Sequence, residues 1–236
     1  MIDWHSHVLP SMDDGSRDVE ESVSMLKKLR EQGVNCVIAT PHFYANDESV
    51  DSFLERREKS YSMLKEKDTG DLPEILLGAE IRYYAGIGRM EGLEKLAIGS
   101  TRYVLIEMPM TKWTEYTVKE LVDISSACGV TVILAHVERY LSLQKADVWR
   151  RLRDSGILMQ VNASAFNGLL KKRKAIKLIG DGMLHFVGSD CHNMMSRPPN
   201  ISGAYDAIRK KFGDELVRRI NEYGHSIIEK NNILNT

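Results

Sequence analysis

Seven short apolar segments, separated by charged stretches with helical periodicity, constrain the fold of this chain more than any other feature. They cover residues 1–5, 34–40, 74–80, 103–107, 131–136, 157–162 and 184–190. Runs without a charge, such as Val132-Ile133-Leu134-Ala135, favour strands buried on both faces, as in a parallel sheet, over a half-exposed antiparallel sheet. The pattern therefore predicts an α/β fold in which strands and helices alternate.

The charged stretches carry helix boundaries of the kind that connect parallel strands. Asp18 followed by Glu21 fits a capping box, and Gly33 stands where a glycine commonly ends a helix. Similar patterns cover 49–64, 118–128 and 148–154, and 201–228 is expected to form two or three closing helices. No linker or repeat interrupts the sequence, so we predict a single domain over 1–236. Periodicity alone does not decide between a closed barrel and an open sheet.

Composition limits the functions open to this chain. Its 32 Lys and Arg residues nearly balance 33 Asp and Glu residues, and the net charge of −1 gives no support to nucleic-acid binding. The sequence has no apolar run of bilayer length and no signal-peptide pattern, so we expect a cytoplasmic protein without membrane insertion. Three cysteines without CxxC spacing argue against a disulfide framework or a zinc knuckle. Histidines and carboxylates remain as the main sources of chemistry.

Side chains that can bind metal ions follow almost every predicted strand at the point where it ends. They are His5, His7, Asp14, His42, Glu80, Glu107, His136, Asp190 and His192. Each alone has an ordinary structural explanation, such as a core histidine or a solvated turn carboxylate. Together they favour a metal centre, since parallel strands bring their carboxyl ends to one rim. Such a set suffices for three ions if one carboxylate bridges, and imidazole with carboxylate suits Mn, Fe, Zn or Co better than Ca.

Several short motifs occur in a fixed order along the chain. They include His5-Ser6-His7, Asp13-Asp14-Gly15, Thr40-Pro41-His42, HVERY at 136–140 and the D-x-H-N…RPP segment at 190–199. In type and order these motifs resemble the polymerase and histidinol phosphatase (PHP) superfamily. Within it they are similar to the bacterial protein-tyrosine phosphatases of the CpsB/YwqE type, which control capsule and exopolysaccharide synthesis.

The resemblance implies a distorted (βα)7 TIM-like barrel with a trinuclear metal site at the C-terminal rim of the strands. One ion would be held by His5, His7, Glu80 and Asp190, a second by the bridging Glu80 with Glu107 and His136, and a third by Asp14, His42 and His192. The three divalent ions would be Mn, with Fe, Zn, Co or Mg as alternatives. The implied reaction is hydrolysis of phosphotyrosine on the tail of a bacterial tyrosine kinase by a metal-activated hydroxide.

Two arginines lie close in sequence to these candidate ligands. Arg139 and Arg197 follow His136 and His192 by three and five residues, inside the HVERY and RPP motifs. We expect both to be catalytic residues that grip phosphate oxygens, rather than ordinary surface arginines. Cys191 and Arg197 also match the C-x5-R spacing of thiol-dependent tyrosine phosphatases. Their loop lacks the glycines that a backbone phosphate cradle favours, which argues against a cysteine nucleophile.

Two alternative functions use the same residues. A histidinol-phosphate phosphatase of the same superfamily would share the metal chemistry, and a catalytically silent PHP module would bind metal without turnover. Substrate specificity would lie in loops, where aromatic side chains could form a wall for a phenyl ring or simply pack. These are Tyr44, Tyr83, Tyr84, Trp113 and Tyr116. The basic stretch 169–174 (LLKKRK) could guide an acidic phosphorylated tail or form a solvated helix face.

Overall fold

Strands and helices alternate along the chain, as predicted. The computed structural model describes residues 1–68 and 70–232, and these contain nine strands and seven α-helices. The strands β1 to β9 are Ile2–Ser6, Cys36–Ala39, His42–Phe43, Glu74–Leu77, Glu80–Arg82, Tyr103–Glu107, Thr131–Leu134, Leu158–Asn162 and Phe186–Gly188. The helices α1 to α7 are Val19–Glu31, Val50–Lys65, Glu115–Cys128, Ala146–Asp154, Leu169–Gly180, Ser202–Phe212 and Asp214–Asn232. The last four residues of the predicted domain 1–236 lie outside the described residues.

Parallel pairing arranges the strands in a ring that follows chain order. β1 pairs with β2, and β2 pairs with β4. The short strands β3 and β5 continue β2 and β4, respectively, and pair with each other. From β5 to β9 each strand pairs with the next. Ser6 forms a parallel bridge to Cys191, where the backbone N–H of His7 donates to the Cys191 carbonyl over 2.9 Å. The described residues thus fill seven strand positions of a distorted barrel, and the predicted (βα)7 fold is confirmed.

The helix boundaries follow the predicted capping chemistry. The carboxylate of Asp18 accepts a hydrogen bond from the backbone N–H of Glu21 over 2.8 Å, which caps α1. Gly33 follows the end of this helix with a φ of +85°, a conformation that glycine adopts without strain. The basic stretch 169–174 begins α5. None of the described helices combines the length and the apolar character that a bilayer span requires.

Side-chain alternation along the strands creates two apolar layers. The inner cluster includes Leu105, Ile133, Leu158 and Phe186, while a larger outer cluster packs the other strand faces against the helices. At the C-terminal ends of the strands the inward positions change from apolar to polar. In β8, for example, buried Leu158 is followed on the same face by Gln160 and Asn162, both buried. The apolar layer therefore forms the floor beneath a polar rim.

Gly188 lets the last strand lie close to the first. A Cβ atom at this position would lie 2.5 Å from Cβ of His5 and 2.9 Å from its backbone nitrogen. Both atoms belong to β1, which cannot shift without opening the bridge that closes the barrel. A side chain at residue 188 is therefore incompatible with the observed spacing of β9 and β1.

We predict that Gly188→Ala lowers the free energy of unfolding by about 1–3 kcal/mol, because the added methyl group overpacks a rigid contact. Gly180→Ala is the matched control, since a Cβ at that exposed helical position meets nothing within 4 Å. This control should be neutral or stabilising by up to about 1 kcal/mol. Urea denaturation of both variants measures the difference, and equal stabilities would contradict the close approach of β9 to β1.

Candidate metal centre

The side chains that the sequence analysis selected as metal ligands converge on one rim of the barrel. They follow different strands, so the parallel arrangement brings together residues as distant in sequence as His5 and Asp190. Most of them are buried, whereas His42 is half-buried and Asp14 is exposed. The exposed side at Asp14 gives solvent and a ligand access to an otherwise enclosed cluster.

Glu80 stands at the centre of this cluster. One of its carboxylate oxygens lies 3.0 Å from Nε2 of His5 and 3.2 Å from Nε2 of His7. The same oxygen lies 3.2 Å from Nδ1 of His42, and the other oxygen lies 2.8 Å from Nε2 of His136. Glu80 is 1% exposed, so these imidazoles replace water around its charge. A carboxylate with both oxygens directed to different imidazoles can bridge two ions.

Asp190 and Asp14 extend the cluster on either side of Glu80. Oδ1 of Asp190 lies 3.6 Å from Nε2 of both His5 and His7. Oδ1 of Asp14 lies 3.6 Å from Nε2 of His42 and 3.4 Å from Nε2 of His192. The spacing of these donor atoms is close to that of neighbouring ligands around one divalent ion, whose ligand distances are about 2.0–2.2 Å.

The ligand atoms fall into overlapping groups rather than separate ones. Within the described residues, three groups could each hold an ion. The first group is His7, Asp14, His42 and His192. The second is His5, His7 and Asp190, and the third is His42, Glu80 and Glu107. His7 and His42 each belong to two groups, which differs from the assignment that the resemblance implied. His136 stands 2.8 Å from Glu80 and 3.5 Å from Glu107, at the edge of the third group.

Two buried imidazole nitrogens support a cation at this rim. Nδ1 of His42 and Nε2 of His192 lie 3.2 Å and 3.4 Å from carboxylate oxygens of Glu80 and Asp14. Neither nitrogen forms a hydrogen bond among the described residues, although both atoms are shielded from solvent. The other nitrogen of His192, Nδ1, lies 3.0 Å from the backbone carbonyl of Asp190, which fixes its proton there and leaves Nε2 as a lone-pair donor. Buried polar atoms without partners are rare, and a bound metal ion would satisfy both.

A second layer of side chains orients the imidazoles. Oδ2 of Asp13 lies 2.7 Å from Nδ1 of His7, Oε1 of Gln160 lies 3.2 Å from Nδ1 of His5, and the hydroxyl of Tyr140 lies 3.1 Å from Nδ1 of His136. Each contact leaves Nε2 facing the cluster, as is usual for metal-binding histidines. Residue spacing along the chain does not predict these supporting contacts. The polar Gln160 within the apolar run at 157–162 is their one visible signal in the sequence.

Two of the candidate ligands have strained backbones. His136 and Asp190 adopt φ values of +36° and +53°, in the left-handed region that non-glycine residues rarely occupy. At His136, just after β7, this conformation directs the imidazole towards Glu80. The preceding Ala135 faces the inner cluster, so regular alternation along the strand would have directed His136 to the other face. Such strain is concentrated at functional sites, where surrounding contacts hold it in place.

The electrostatics of the cluster favour ionised carboxylates. Burial alone would raise the pKa of Glu80, but nearby His5 and hydrogen bonds with the imidazoles hold it well below its usual value. Burial would lower the pKa of His7 and His136, yet their carboxylate partners raise these values to about 10 and about 9. Burial and the charge of His7 lower the pKa of His192 to about 4. A metal ion must therefore displace protons from His7 and His136, and its uptake becomes more favourable as the pH rises.

Arg139 and Arg197 border the same cluster. Arg139 donates a hydrogen bond to Oδ2 of Asp190 through Nη2, and Nη2 of Arg197 forms an ion pair with Oδ1 of Asp190 at 2.7 Å. Both side chains are partly exposed, at 35% and 39%. Each arginine therefore pairs with Asp190 at the rim while part of its side chain remains accessible to solvent.

The remaining candidates from the sequence differ in their relation to this cluster. Cys191 is buried in the outer cluster, and burial raises the pKa of its thiol, which disfavours a thiolate nucleophile. Trp113 is also buried, where its indole N–H donates to the carbonyl of Pro109 and its ring packs on Tyr140. Of the predicted aromatic wall, Tyr44 lies next to the site, with its ring centroid 5.4 Å from that of His42.

Several known proteins are similar to this chain in sequence along most of its length. The tyrosine-protein phosphatase CpsB of Streptococcus pneumoniae is 35% identical over 93% of this chain and 94% of its own length. The tyrosine-protein phosphatase YwqE of Bacillus subtilis is 29% identical over 99% of this chain and 93% of its own length. A putative tyrosine-protein phosphatase CapC of Staphylococcus aureus is 30% identical over 84% of this chain and 79% of its own length.

Solved structures and a protein-family model also match most of this chain. The crystal structures of YwqE from Bacillus subtilis and CpsB from Streptococcus pneumoniae, described as unique metal-dependent tyrosine phosphatases, include a chain with the same fold. That chain superposes with a TM-score of 0.81 at 28% identity, over 97% of this chain and 94% of its own length. A chain of archaeal ribonuclease P gives a TM-score of 0.62 at 15% identity, over 99% of this chain and 92% of that one, which is a likeness of fold alone. Residues 1–228 match the family model for capsular polysaccharide synthesis, CpsB/CapC. The chain therefore belongs to the CpsB/CapC family.

Proposed function

We propose that this chain is a metal-dependent protein-tyrosine phosphatase that regulates capsular or exopolysaccharide synthesis. The cluster of imidazoles and carboxylates around Glu80, bordered by two arginines, is the observation that carries the proposal. Relatives named tyrosine-protein phosphatases, similar along nearly the whole chain, support it. The proposal includes three divalent ions, with Mn as the first choice and Fe, Zn, Co or Mg as alternatives.

Each part of the site would contribute a separate function to hydrolysis. Bound divalent ions would supply hydroxide near neutral pH and neutralise charge on the phosphoryl oxygens. Asp13 and Gln160 would keep the His7 and His5 rings oriented towards the ions. Arg139 and Arg197 would donate hydrogen bonds to the phosphoryl group. The phosphorus bond to the phenolic oxygen would break as the bond to the hydroxide oxygen forms, which would release hydrogen phosphate and a tyrosine phenolate that takes a proton from water.

A phenolic leaving group suits a site of this composition. Tyrosine has a pKa of about 10, so its oxygen departs with less help from a general acid than an alkyl alcohol requires. The names of the relatives likewise favour phosphotyrosine over histidinol phosphate, an alkyl ester. We further propose that the phosphotyrosine lies on the tail of a bacterial tyrosine kinase. Tyrosine kinases use ATP, so this enzyme would act in the cytoplasm.

The first prediction concerns substrate and metal together. The metal-loaded protein should turn over a phosphotyrosine peptide at least about 10-fold more efficiently than histidinol phosphate, because the phenolate leaves without an acid. Removal of the ions with a chelator should abolish turnover, and addition of Mn²⁺ should restore it. Steady-state kinetics measure both effects. A preference for histidinol phosphate, or full activity in the chelated protein, would contradict the proposal.

The second prediction concerns the metal ligands. Asp190→Ala and His136→Ala should each reduce turnover by more than about 100-fold and also reduce the metal content of the purified protein, because each removes a ligand. His225→Ala on α7 is the matched control and should retain both activity and metal. Elemental analysis, phosphatase assays and circular dichroism separate loss of metal from loss of fold. Unchanged activity in both ligand variants would refute the assignment of the site.

The third prediction concerns the two arginines. Arg139→Ala and Arg197→Ala should each raise KM for an aryl phosphate by roughly 10- to 100-fold, since a charge-assisted hydrogen bond contributes about 1.5–3 kcal/mol. Arg102→Ala provides the control, because Arg102 is an exposed residue that precedes the first residue of β6, at the opposite end of that strand from Glu107. Initial rates over a range of substrate concentrations give KM and kcat. An unchanged KM in both rim variants would show that these arginines do not bind phosphate.

A further inference from the structure

Two neighbouring cavities lie against α5, the larger between α4 and α5 and the smaller beside Arg139 at the metal centre. One has a volume of about 610 Å³ and is lined by residues of both helices, including Trp149, Arg150, Lys174 and Lys177. The other has a volume of about 310 Å³ and is lined by Arg139, Lys171 and Lys174. Lys174 borders both cavities, which we together call the basic groove. Its lining extends from Arg139, which contacts Asp190, to Arg150 and Arg153 on α4.

Helical periodicity explains why one charge predominates along this groove. Lys171, Lys174 and Lys177 are three residues apart, so they project from one face of α5. Arg150 and Arg153 share a face of α4 in the same way, together with Trp149. The two helix faces form opposite walls, and each wall contributes cations to the space between them.

Most of these cations have no acidic partner. Arg153 pairs with Asp154 over 3.2 Å and donates to the carbonyl of Asp181 over 3.3 Å. Arg150, Lys171, Lys174 and Lys177 make no ion pair in the part of the chain that the structure describes, which is residues 1–68 and 70–232.

Acidic side chains do little to offset this charge. The acidic residues on the lining are Asp181 in the larger cavity and Glu138 in the smaller one. Glu138 already accepts a hydrogen bond from the backbone N–H of Asn162 over 3.2 Å. Unpaired cations that line a concavity raise the local potential and attract anionic ligands.

We propose that the basic groove binds an acidic segment of the phosphoprotein substrate, adjacent to the phosphotyrosine in the metal centre. This inference rests on the proposed function, because the segment must be joined to a phosphotyrosine that reaches Asp190 and the ligands around it. Arg139 supplies that connection, because it borders the smaller cavity and contacts Asp190. Aspartate and glutamate side chains, or further phosphotyrosines, would meet Lys171 and Lys174 first, and then Arg150 and Lys177.

The shape of the groove favours a polypeptide over a membrane or a nucleic acid. Its larger cavity combines cations with the apolar side chains of Trp149, Leu178 and Met183 and with the polar groups of Ser142 and Gln144. An extended peptide presents charged, apolar and hydrogen-bonding groups in turn, so it can use this mixture, whereas a flat lipid surface cannot enter a concavity. The chain as a whole carries a net charge of −1, which gives no general attraction for a large polyanion beyond the groove itself.

The test compares two phosphotyrosine peptides that differ only in flanking Asp and Glu residues, which are Asn and Gln in the second peptide. The wild-type enzyme should show a kcat/KM at least about 5-fold higher for the acidic peptide, mainly through KM, and the preference should decline with added salt. The triple variant Arg150→Gln, Lys174→Gln and Lys177→Gln should reduce the preference to less than about 2-fold. Its turnover of p-nitrophenyl phosphate should stay unchanged, because that small ester does not reach the groove.

A second triple variant controls for overall charge. Lys27→Gln, Arg30→Gln and Lys59→Gln remove the same charge from exposed positions on α1 and α2. This variant should keep the preference for the acidic peptide. An equal loss of preference in both triple variants would overturn the inference, as would equal use of the two peptides by the wild type. Loss of p-nitrophenyl phosphate turnover in the groove variant alone would overturn it too, since the groove would then belong to the catalytic site.

A binding measurement separates this inference from the proposed function. Fluorescence anisotropy with the acidic peptide carrying unphosphorylated tyrosine should show binding that the groove variant weakens by at least about 5-fold. This result would stand even if the metal-loaded protein hydrolysed no phosphate ester, in which case the proposed function alone would fail. Groove-dependent binding that is tighter for a single-stranded oligonucleotide or an anionic lipid vesicle than for the acidic peptide would overturn the inference.

Discussion

The rim of this barrel depends on the imidazole contacts that compensate for the burial of the Glu80 carboxylate. A carboxylate removed from water is costly unless opposite charges or hydrogen-bond donors replace its solvation. Here His5 and His7 at the end of β1, His42 in β3 and His136 after β7 approach its two oxygens. A bound cation would take over the same compensation, so one arrangement serves both folding and metal binding. The rim is consequently a network in which no single ligand can be altered without affecting its neighbours.

Most of the fold was predictable from the sequence because buried parallel strands have a simple pattern. The run at 103–107 coincides with the strand Tyr103–Glu107, and the Asp18 cap begins α1 as expected. Differences occur where the strands approach the site. The predicted strand at 131–136 ends at Leu134, since His136 needs a left-handed backbone to face Glu80. Periodicity describes regular backbone, and it cannot anticipate a conformation that tertiary contacts impose.

The site was predictable in its ligand types but less so in its supporting layer. Histidine, aspartate and glutamate residues at the ends of predicted strands can be identified from the sequence alone, and the structure places them together. The contacts of Asp13 with His7 and of Gln160 with both His5 and the backbone of His136 depend on distances between separate strands. The register between Asp3 and Ser6 is also irregular, which allows Trp4 to enter the inner cluster while His5 faces the rim. Strict alternation would have placed these two side chains on opposite faces.

The bridge between Ser6 and Cys191 has a consequence for how the protein is made. The first ligands emerge from the ribosome with the first strand, whereas Asp190 and His192 emerge only when most of the chain has been synthesised. Chains synthesised only as far as β8 would hold imidazoles without the carboxylate that completes the group of His5, His7 and Asp190. Contacts between residues so distant in sequence are slow to form, because closing the long intervening loop costs entropy. Tight metal binding would therefore mark a finished barrel, so that phosphatase activity arises only after the last strand has joined the first.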